Sequence, residues 1–310
     1  MKISYVIPCY RSEHTLPSVV EEIRRTMADR PEFDWEVVMT CDHSPDRVYE
    51  VIKKMCFEDS THLKGQLLAR NFGENSAVMA GLNQVTGDVI ITPDDDGQSP
   101  IEATFEMVDK IIEGDYDVIY GAYPDKKHSV FRNIGTKINQ LMIGWLIGKP
   151  KDVQITSFFA ARRFVIDQVI RYEGAFPYVW GLVLRVTQNI TNVTVNHRER
   201  AEGKSGYTLA KLLGLWMNGF TAFSVKPLRL ASLIGAMFAF TGFAYGLWTV
   251  IEKLFVNPNV PIGYSSMMSI FLLVSGIVLI MLGLIGEYVG RIYICNNKAP
   301  QYVVRERTFQ

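Results

Sequence analysis

Sulfur is scarce in this chain of 310 residues. Its four cysteines, Cys9, Cys41, Cys56 and Cys295, stand at irregular spacings and form no Cys-x-x-Cys pair. That spacing argues against a disulfide framework or a zinc site and fits a reducing compartment. Cys9 and Cys41 fall at the ends of expected strands, where a free thiol serves as a small buried hydrophobe. Net charge is absent as well. The 32 basic residues balance the 32 acidic ones, which leaves no basic surplus to favour nucleic acid. The N-terminus, Met1-Lys2-Ile3-Ser4-Tyr5-Val6-Ile7-Pro8, runs straight into a strand pattern and lacks the layout of a secretory signal. The first ~225 residues are therefore expected to stay in the cytoplasm. No internal repeat or low-complexity segment is found.

Two long stretches lack charge altogether, and these are informative. Leu230 to Ile251 and Met267 to Gly286 carry no charged side chain. Each has about the ~20 residues that a helix needs to cross a hydrocarbon core. The link from Glu252 to Ser266 contains Asn257-Pro258-Asn259 and Pro261-Ile262-Gly263, so the two spans should form a hairpin. Lys226 and Arg229 precede the first span, and Arg291, Lys298, Arg305 and Arg307 follow the second; the link holds only Lys253 beside Glu252. By the positive-inside rule both ends face the cytoplasm. The expected location is thus the inner (cytoplasmic) membrane, multi-pass, with the soluble part and both termini cytoplasmic. Gly235, Ala239, Gly242 and Gly246 suit helix packing within or between chains, and a homo-oligomer stays open.

The first part of the chain alternates. Strand-like runs at Ile3–Ile7, Glu36–Thr40, Gln66–Leu68, Val89–Thr92 and Val118–Tyr120 are separated by helix-like stretches at Leu16–Met27, Arg47–Cys56, Ser76–Val85 and Ile101–Ile112. Pro17 and Pro100 fit first-turn helix positions. This pattern predicts an α/β domain with a mostly parallel sheet, whose ligands bind beyond the carboxyl ends of the strands. Two further stretches have an apolar helical face with tryptophan and nearby basic residues. One contains Ile134, Ile138, Leu141, Met142, Trp145 and Leu146; the other contains Leu209, Leu212, Leu213, Trp216, Phe220 and Phe223. Either a helix in the membrane surface or a helix on the soluble core produces this pattern.

The run Asp94-Asp95-Asp96-Gly97-Gln98 follows the strand-like Gly87-Asp88-Val89-Ile90-Ile91-Thr92-Pro93. Acids crowded at a strand end repel one another and lose solvation, a cost that a divalent cation offsets. A cation with open coordination places is the usual holder of a diphosphate, so the run points to a phosphate-bearing substrate. A solvated acidic turn is the plain alternative.

Order and spacing carry the rest. Pro8-Cys9-Tyr10-Arg11-Ser12-Glu13 follows the first strand, Thr40-Cys41-Asp42-His43-Ser44-Pro45-Asp46 the second, and Leu68-Ala69-Arg70-Asn71-Phe72-Gly73 the third. Then come Ala80-Gly81-Leu82, Gly87-Asp88, the acidic run, and Arg200, Gly203, Ser205 and Tyr207 in the pattern Arg-x-x-Gly-x-Ser-x-Tyr. This set, with the hairpin behind it, resembles the polyprenyl-phosphate glycosyltransferases. These are inverting family 2 enzymes of GT-A fold, similar to dolichol-phosphate mannose synthase and the bacterial undecaprenyl-phosphate glucosyltransferases.

The resemblance implies roles. Pro8, Tyr10, Glu13, Asp42 and Arg70 would bind the nucleotide sugar together with Asp94. Asp94, Asp96 and Gln98 would hold Mg²⁺ or Mn²⁺, with Asp95 as a spacer facing solvent. Arg132, Arg198 and Arg200, with Ser205 and Tyr207, would bind the acceptor and its phosphate. Asp96, Arg200 and Asp152 are the catalytic candidates. The stretch from Pro124 to Ser129 reads as a loop that could order over the site. Four departures stand out. His43 replaces a turn glycine; Gly97 replaces a leucine; Gly206 replaces a lysine, with Lys204 close by. Ile155-Thr156-Ser157-Phe158-Phe159 lacks the acid of an Asp-Phe-Arg sequence that relatives carry as a proposed base. Asp152 is the nearest substitute.

The implied activity is metal-dependent, inverting transfer of a sugar, classed with the hexosyltransferases, from a nucleotide sugar, UDP-linked by preference, to a polyprenyl phosphate. The partners are the nucleotide sugar, the lipid phosphate and the bilayer, with no nucleic acid. The expected domains are a GT-A catalytic domain at 1–206, an interfacial helix and linker at 207–229, the hairpin at 230–290 and a cytoplasmic tail at 291–310. Two rivals stand beside this reading. One extends the hydroxyl of a lipid-linked glycan and needs a base such as Asp152. The other is a non-catalytic membrane scaffold with a degenerate site.

Overall fold

The structure is a computed structural model. It describes residues 1–123, 153–196 and 263–309, with scattered positions between 228 and 255. Its elements are β1 (Lys2–Cys9), α1 (Leu16–Ala28), β2 (Asp34–Cys41), α2 (Val48–Glu58), β3 (Leu63–Leu68), α3 (Glu74–Leu82), β4 (Val89–Ile91), a 3₁₀ turn (Ile101–Ala103), α4 (Thr104–Glu113), β5 (Val118–Ala122), β6 (Phe159–Arg162), α5 (Arg163–Val169), α6 (Val179–Val186), β7 (Ile190–Thr194), α7 (Tyr264–Asn296) and β8 (Val304–Arg307).

Alternating apolar runs produce the first half. β1 is buried over five consecutive residues, as a strand covered on both faces must be. It pairs in parallel with β2 from Lys2↔Asp34 to Cys9↔Cys41 and with β4 on its other side. In α1, Leu16, Val19, Val20, Ile23 and Met27 are buried; this is the i, i+3, i+4, i+7 stripe of an amphipathic helix. Pro17 sits in its first turn, where a missing N–H costs nothing. Burying each such side chain stabilises by about 1.5–3 kcal/mol. α3 is buried from Ser76 to Leu82. Gly81 explains how closely it lies on the sheet, since a Cβ there would collide with Val6 Cγ1.

The eight strands lie in the order β7-β5-β6-β4-β1-β2-β3-β8. β6 runs antiparallel to β4 and β5, and β8 antiparallel to β3. The sheet is therefore of mixed direction around a parallel centre. Glu36, almost fully buried on β2, ties several strands together. It accepts from Ser4 Oγ at 2.7 Å, Lys64 Nζ at 2.7 Å, Thr86 N–H at 2.6 Å and Thr86 Oγ1 at 2.8 Å. Burial alone would raise its pKa, but the Lys64 ammonium and the other donors outweigh that and hold it at about 2.

The chain divides into two compact units, Met1–Tyr207 with Lys298–Gln310, and Thr208–Asn297. In the second unit α7 runs for 33 residues, roughly 50 Å at ~1.5 Å per residue. The expected span from Met267 to Gly286 lies inside it, and the helix continues ten residues further, past Glu287 and Arg291. Leu273–Asn296 has a mean hydropathy of 2.0, and α7 is the one helix among the described residues long and apolar enough to cross a membrane. The described positions between 228 and 255 are helical. A methyl placed on Gly235 would lie 3.5 Å from Met281 Cε, so the two helical stretches pack side by side at that point. The two stretches expected to be interfacial, around Trp145 and Trp216, lie outside the described residues.

The segment set apart in the sequence as a tail is part of the sheet. β8 pairs Gln66↔Arg307, Leu67↔Glu306 and Leu68↔Val304. Ala69 N–H donates to Val303 O at 2.8 Å and Thr308 N–H to Gly65 O at 2.9 Å. The Gln301 side-chain amide donates to Tyr172 O at 2.6 Å and Gly174 O at 2.9 Å. Tyr302 and Val304 pack on a small cluster of Leu68, Ala77 and Ala80, together with Phe72.

Candidate active site

The carboxyl ends of β1 to β4 open on a cleft of about 380 Å³. Its walls come from the segments that follow each strand. Pro8, Cys9 and Tyr10 are contributed by β1 and its loop, Asp42 by the loop after β2, Asn71, Gly73, Glu74 and Ala77 by the β3–α3 turn, and Asp94, Asp95, Asp96 and Gln98 by the loop after β4; Ser157 enters from the approach to β6. This is where an open parallel sheet holds its ligand. Among the residues marked out by sequence, Pro8, Tyr10, Asp42, Asp94, Asp96 and Gln98 are thereby brought together.

Glu13 and Arg70 are not among the lining residues. The Glu13 carboxylate accepts Arg47 N–H at 2.9 Å and lies 3.3 Å from His14 Nε2. Glu13 N–H in turn donates to Asp46 Oδ2 at 3.0 Å, so the residue joins the loop after β1 to the start of α2. The Arg70 guanidinium lies over the Phe72 ring, 4.6 Å from its centroid. Arg132, Asp152, Arg198, Arg200, Ser205 and Tyr207 lie outside the described residues, as does the stretch from Pro124 to Ser129.

Asp42 accepts two backbone protons, Phe72 N–H on Oδ1 at 2.7 Å and Gly73 N–H on Oδ2 at 2.8 Å. It fixes the turn that carries Asn71 and Glu74. Burial raises its pKa against the pull of those two amides. Next to it His43 adopts φ +51°, the left-handed conformation for which a glycine is the usual residue. Histidine at the turn-glycine position therefore keeps the left-handed turn.

The acidic loop is built from local bonds. Asp94 N–H donates to Ser99 Oγ at 2.9 Å, and Ser157 Oγ donates to Asp94 Oδ2 at 3.0 Å. Gln98 N–H donates to Asp96 Oδ1 at 3.0 Å. Gly97 between them has φ +76°. A leucine at this position would be strained, which accounts for that departure from the family pattern.

Asp95 corrects its expected role as a solvent-facing spacer. Its Oδ2 accepts Tyr10 N–H at 2.8 Å, and its carbonyl accepts from Thr15 Oγ1 at 2.7 Å. It therefore stitches the β4 loop to the β1 loop. Burial, with the charges of Asp94 and Asp96 added, pushes its pKa up to about 6. Glu74 stands on the cleft wall, enclosed by protein on most sides yet open to water at the mouth. That enclosure and the three aspartates push it up to about 7. Burial, then Asp94 and Asp96, raises the Tyr123 phenol to about 12.

Asp94, Asp95, Asp96 and Glu74 crowd this one cleft and give it a surplus of negative charge. A divalent cation offsets such a surplus, and Asp94, Asp96 and Gln98 offer the hard oxygen donors that Mg²⁺ and Mn²⁺ prefer. Among the described residues no group of three or more His, Cys, Asp or Glu side chains is placed to hold a metal ion by itself.

Sequence reasoning missed Glu74, Asn71 and Ser157 as cleft residues. The signal for Glu74 was available: it occupies the first turn of the helix that follows a parallel strand, which faces the strand ends. Cys9 also lines the cleft. Burial pushes the Cys9 and Cys41 thiols up, Cys41 to about 11, which disfavours the thiolate form.

Comparison with known proteins agrees with this arrangement. Residues 4–170 match the Glycosyl transferase family 2 domain, and residues 226–292 match the GtrB C-terminal hairpin. The chain is 32% identical over 308 residues to the undecaprenyl-phosphate 4-deoxy-4-formamido-L-arabinose transferase of Yersinia enterocolitica, covering 98% of this chain and 93% of that protein. It is equally similar to the Yersinia pestis transferase of the same name, over 307 residues with the same coverage. Glucosyl-3-phosphoglycerate synthase from Mycobacterium tuberculosis, solved with Mn²⁺ and UDP-glucose, shares the fold at TM-score 0.51 and 16% identity, over 76% of this chain and 78% of that one. The GT-A α/β architecture is common to both. On the extent of these matches, this chain belongs to glycosyl transferase family 2, in its polyprenyl-phosphate branch, and is a glycosyltransferase.

Proposed function

We propose that this enzyme transfers a sugar, with inversion, from a nucleotide sugar to a polyprenyl phosphate at the cytoplasmic membrane face. The observation that carries the reading is the convergence of Asp94, Asp96 and Gln98 with Pro8, Tyr10 and Asp42 on one cleft at the strand ends. The names of the Yersinia relatives, undecaprenyl-phosphate sugar transferases, support the acceptor. UDP-glucose and Mn²⁺ in the Mycobacterium tuberculosis neighbour support a UDP donor and a divalent ion.

In this reading Asp94, Asp96 and Gln98 hold Mg²⁺ or Mn²⁺. When bound, the ion neutralises charge that develops on the departing diphosphate. Pro8 and Tyr10 wall the nucleotide, and Asp42 holds the β3–α3 turn against it. Arg132, Arg198 and Arg200, with Ser205 and Tyr207, receive the acceptor phosphate. A phosphate is anionic near neutral pH and attacks the anomeric carbon without strong help from a base. The lack of an acid in the stretch Ile155 to Phe159 is compatible with that acceptor.

The spans at about 230–251 and 267–286 anchor the catalytic part beside the bilayer, where proximity to the lipid headgroup contributes to rate. The chain leaves one compact unit after Tyr207 and rejoins it at Lys298. A segment bounded in this way crosses a bilayer an even number of times, which supports a hairpin with both ends on the same side. The test is to incubate the purified protein with a panel of nucleotide sugars, undecaprenyl phosphate and Mn²⁺ and to identify the glycolipid by mass. A product with one donor is expected; no product with any pair overturns the proposal.

A further inference from the structure

Ser157 lies two residues before β6 and donates its hydroxyl proton to Asp94 Oδ2 at 3.0 Å. The segment that carries it is locked to the end of β4. Thr92 Oγ1 donates to Ser157 O at 2.7 Å, and Thr92 N–H donates to Phe159 O at 3.0 Å. Thr92 is itself buried and follows β4 directly. Two bonds thus hold Ser157 against the strand that leads into the acidic loop, and a third passes from Ser157 to the first acid of that loop. Ser99 adds a bond from the other side, accepting Asp94 N–H at 2.9 Å. Ser99 Oγ also reaches Asp94 Oδ2, at a longer 3.4 Å, so the 3.0 Å bond from Ser157 is the shorter of the two on that oxygen; a site that must hold charge in one place needs its side chains fixed by neighbours. A serine hydroxyl is far too weak a base to take a proton in this reaction.

We propose that Ser157 is a positioning residue. It holds the Asp94 carboxylate in the orientation that binds the cation and diphosphate, and it acts neither as acid nor as base. The inference rests on the sugar-transfer reading above.

The test uses the full chain in detergent, with UDP as the probe. Binding is read by calorimetry with and without Mn²⁺, and free Mn²⁺ by electron paramagnetic resonance. A hydrogen bond to a carboxylate is among the stronger ones. Ser157→Ala is therefore expected to weaken Mn²⁺-dependent UDP binding about tenfold. UDP binding without Mn²⁺ should not change. Ser157→Thr, which keeps the hydroxyl, should restore binding to within about twofold of the parent. In transfer assays the half-saturating Mn²⁺ concentration should rise with Ser157→Ala, while the KM for lipid phosphate stays put. Unchanged Mn²⁺ dependence in Ser157→Ala overturns the inference. So does an equal loss of binding with and without Mn²⁺, which would mark a general structural defect. If the parent chain binds UDP with Mn²⁺ but transfers no sugar, the sugar-transfer reading fails by itself, and calorimetry alone decides the role of Ser157.

Discussion

The Tyr10 amide and the Asp95 carboxylate are joined by a bond of 2.8 Å, which commits the middle aspartate of the acidic run to the loop after β1. Three consecutive aspartates thus have two kinds of work. Asp94→Asn and Asp96→Asn should each lower transfer at least about 100-fold, as loss of a group that stabilises developing charge does. Asp95→Asn keeps an oxygen for Tyr10 and should lose less than about tenfold in transfer. Asp95→Ala leaves that amide without its partner and should cost about 1–3 kcal/mol in stability. Transfer assays with thermal unfolding of each variant separate the two classes.

Asp42 should behave as a turn-holding group as well as a wall of the nucleotide site. An asparagine there can accept only one of the two protons from Phe72 and Gly73. Asp42→Asn is expected to lower affinity for UDP about tenfold and to cost about 1–2 kcal/mol in stability. Calorimetry and thermal unfolding check both. An affinity loss without any stability loss would mean that the residue acts on the nucleotide alone.

Glu36 predicts a loss of stability in acid. Its folded pKa is depressed to about 2, below the ~4.3 of an unfolded glutamate. The stabilisation is therefore complete above the unfolded value and is lost as pH falls toward 2. On this residue alone it is on the order of 3 kcal/mol. Unfolding midpoints measured from pH 6 to pH 2.5 should fall more steeply for the parent than for Glu36→Gln, which has no charge to lose. Parallel curves would refute the assignment.

The β8 strand should support the nucleotide site although none of its residues lines the cleft. Tyr302 and Val304 pack on the cluster of Leu68, Ala77 and Ala80, and Ala77 lines the cleft. Truncation after Lys298 should lower the unfolding temperature and weaken UDP binding. A synthetic peptide of residues 299–310 should restore part of both by adding back the missing strand. Unimpaired binding in the truncated chain would show that the strand is dispensable.

Much of the centre of the fold was legible because burial on both faces writes itself locally. β1, β2, β4 and α1 need apolar residues at fixed periods wherever their partners lie. Two short elements were not legible in this way. β6 is Phe-Ala-Ala-Arg and β8 is Val-Arg-Glu-Arg; their strand character comes from backbone pairing with distant segments, which composition does not encode. Charged side chains on an edge strand also hide it from any hydrophobic pattern. In the site, Asp94, Asp96 and Gln98 announced themselves through charge crowding. Ser157 did not, because a serine acquires meaning only from what stands 3.0 Å away. Asp95 was misread for the same reason, since its partner Tyr10 is 85 positions earlier.

Closure of the sheet by β8 also sets an order of assembly. The outer edge of β3 stays open until residues 304–307 have been synthesised, and by then the apolar helix α7 has already been made. Until then the catalytic half carries an unpaired strand edge, the form most prone to aggregate. A chain cut short anywhere before residue 304 therefore exposes β3, however complete the cleft residues ahead of it are.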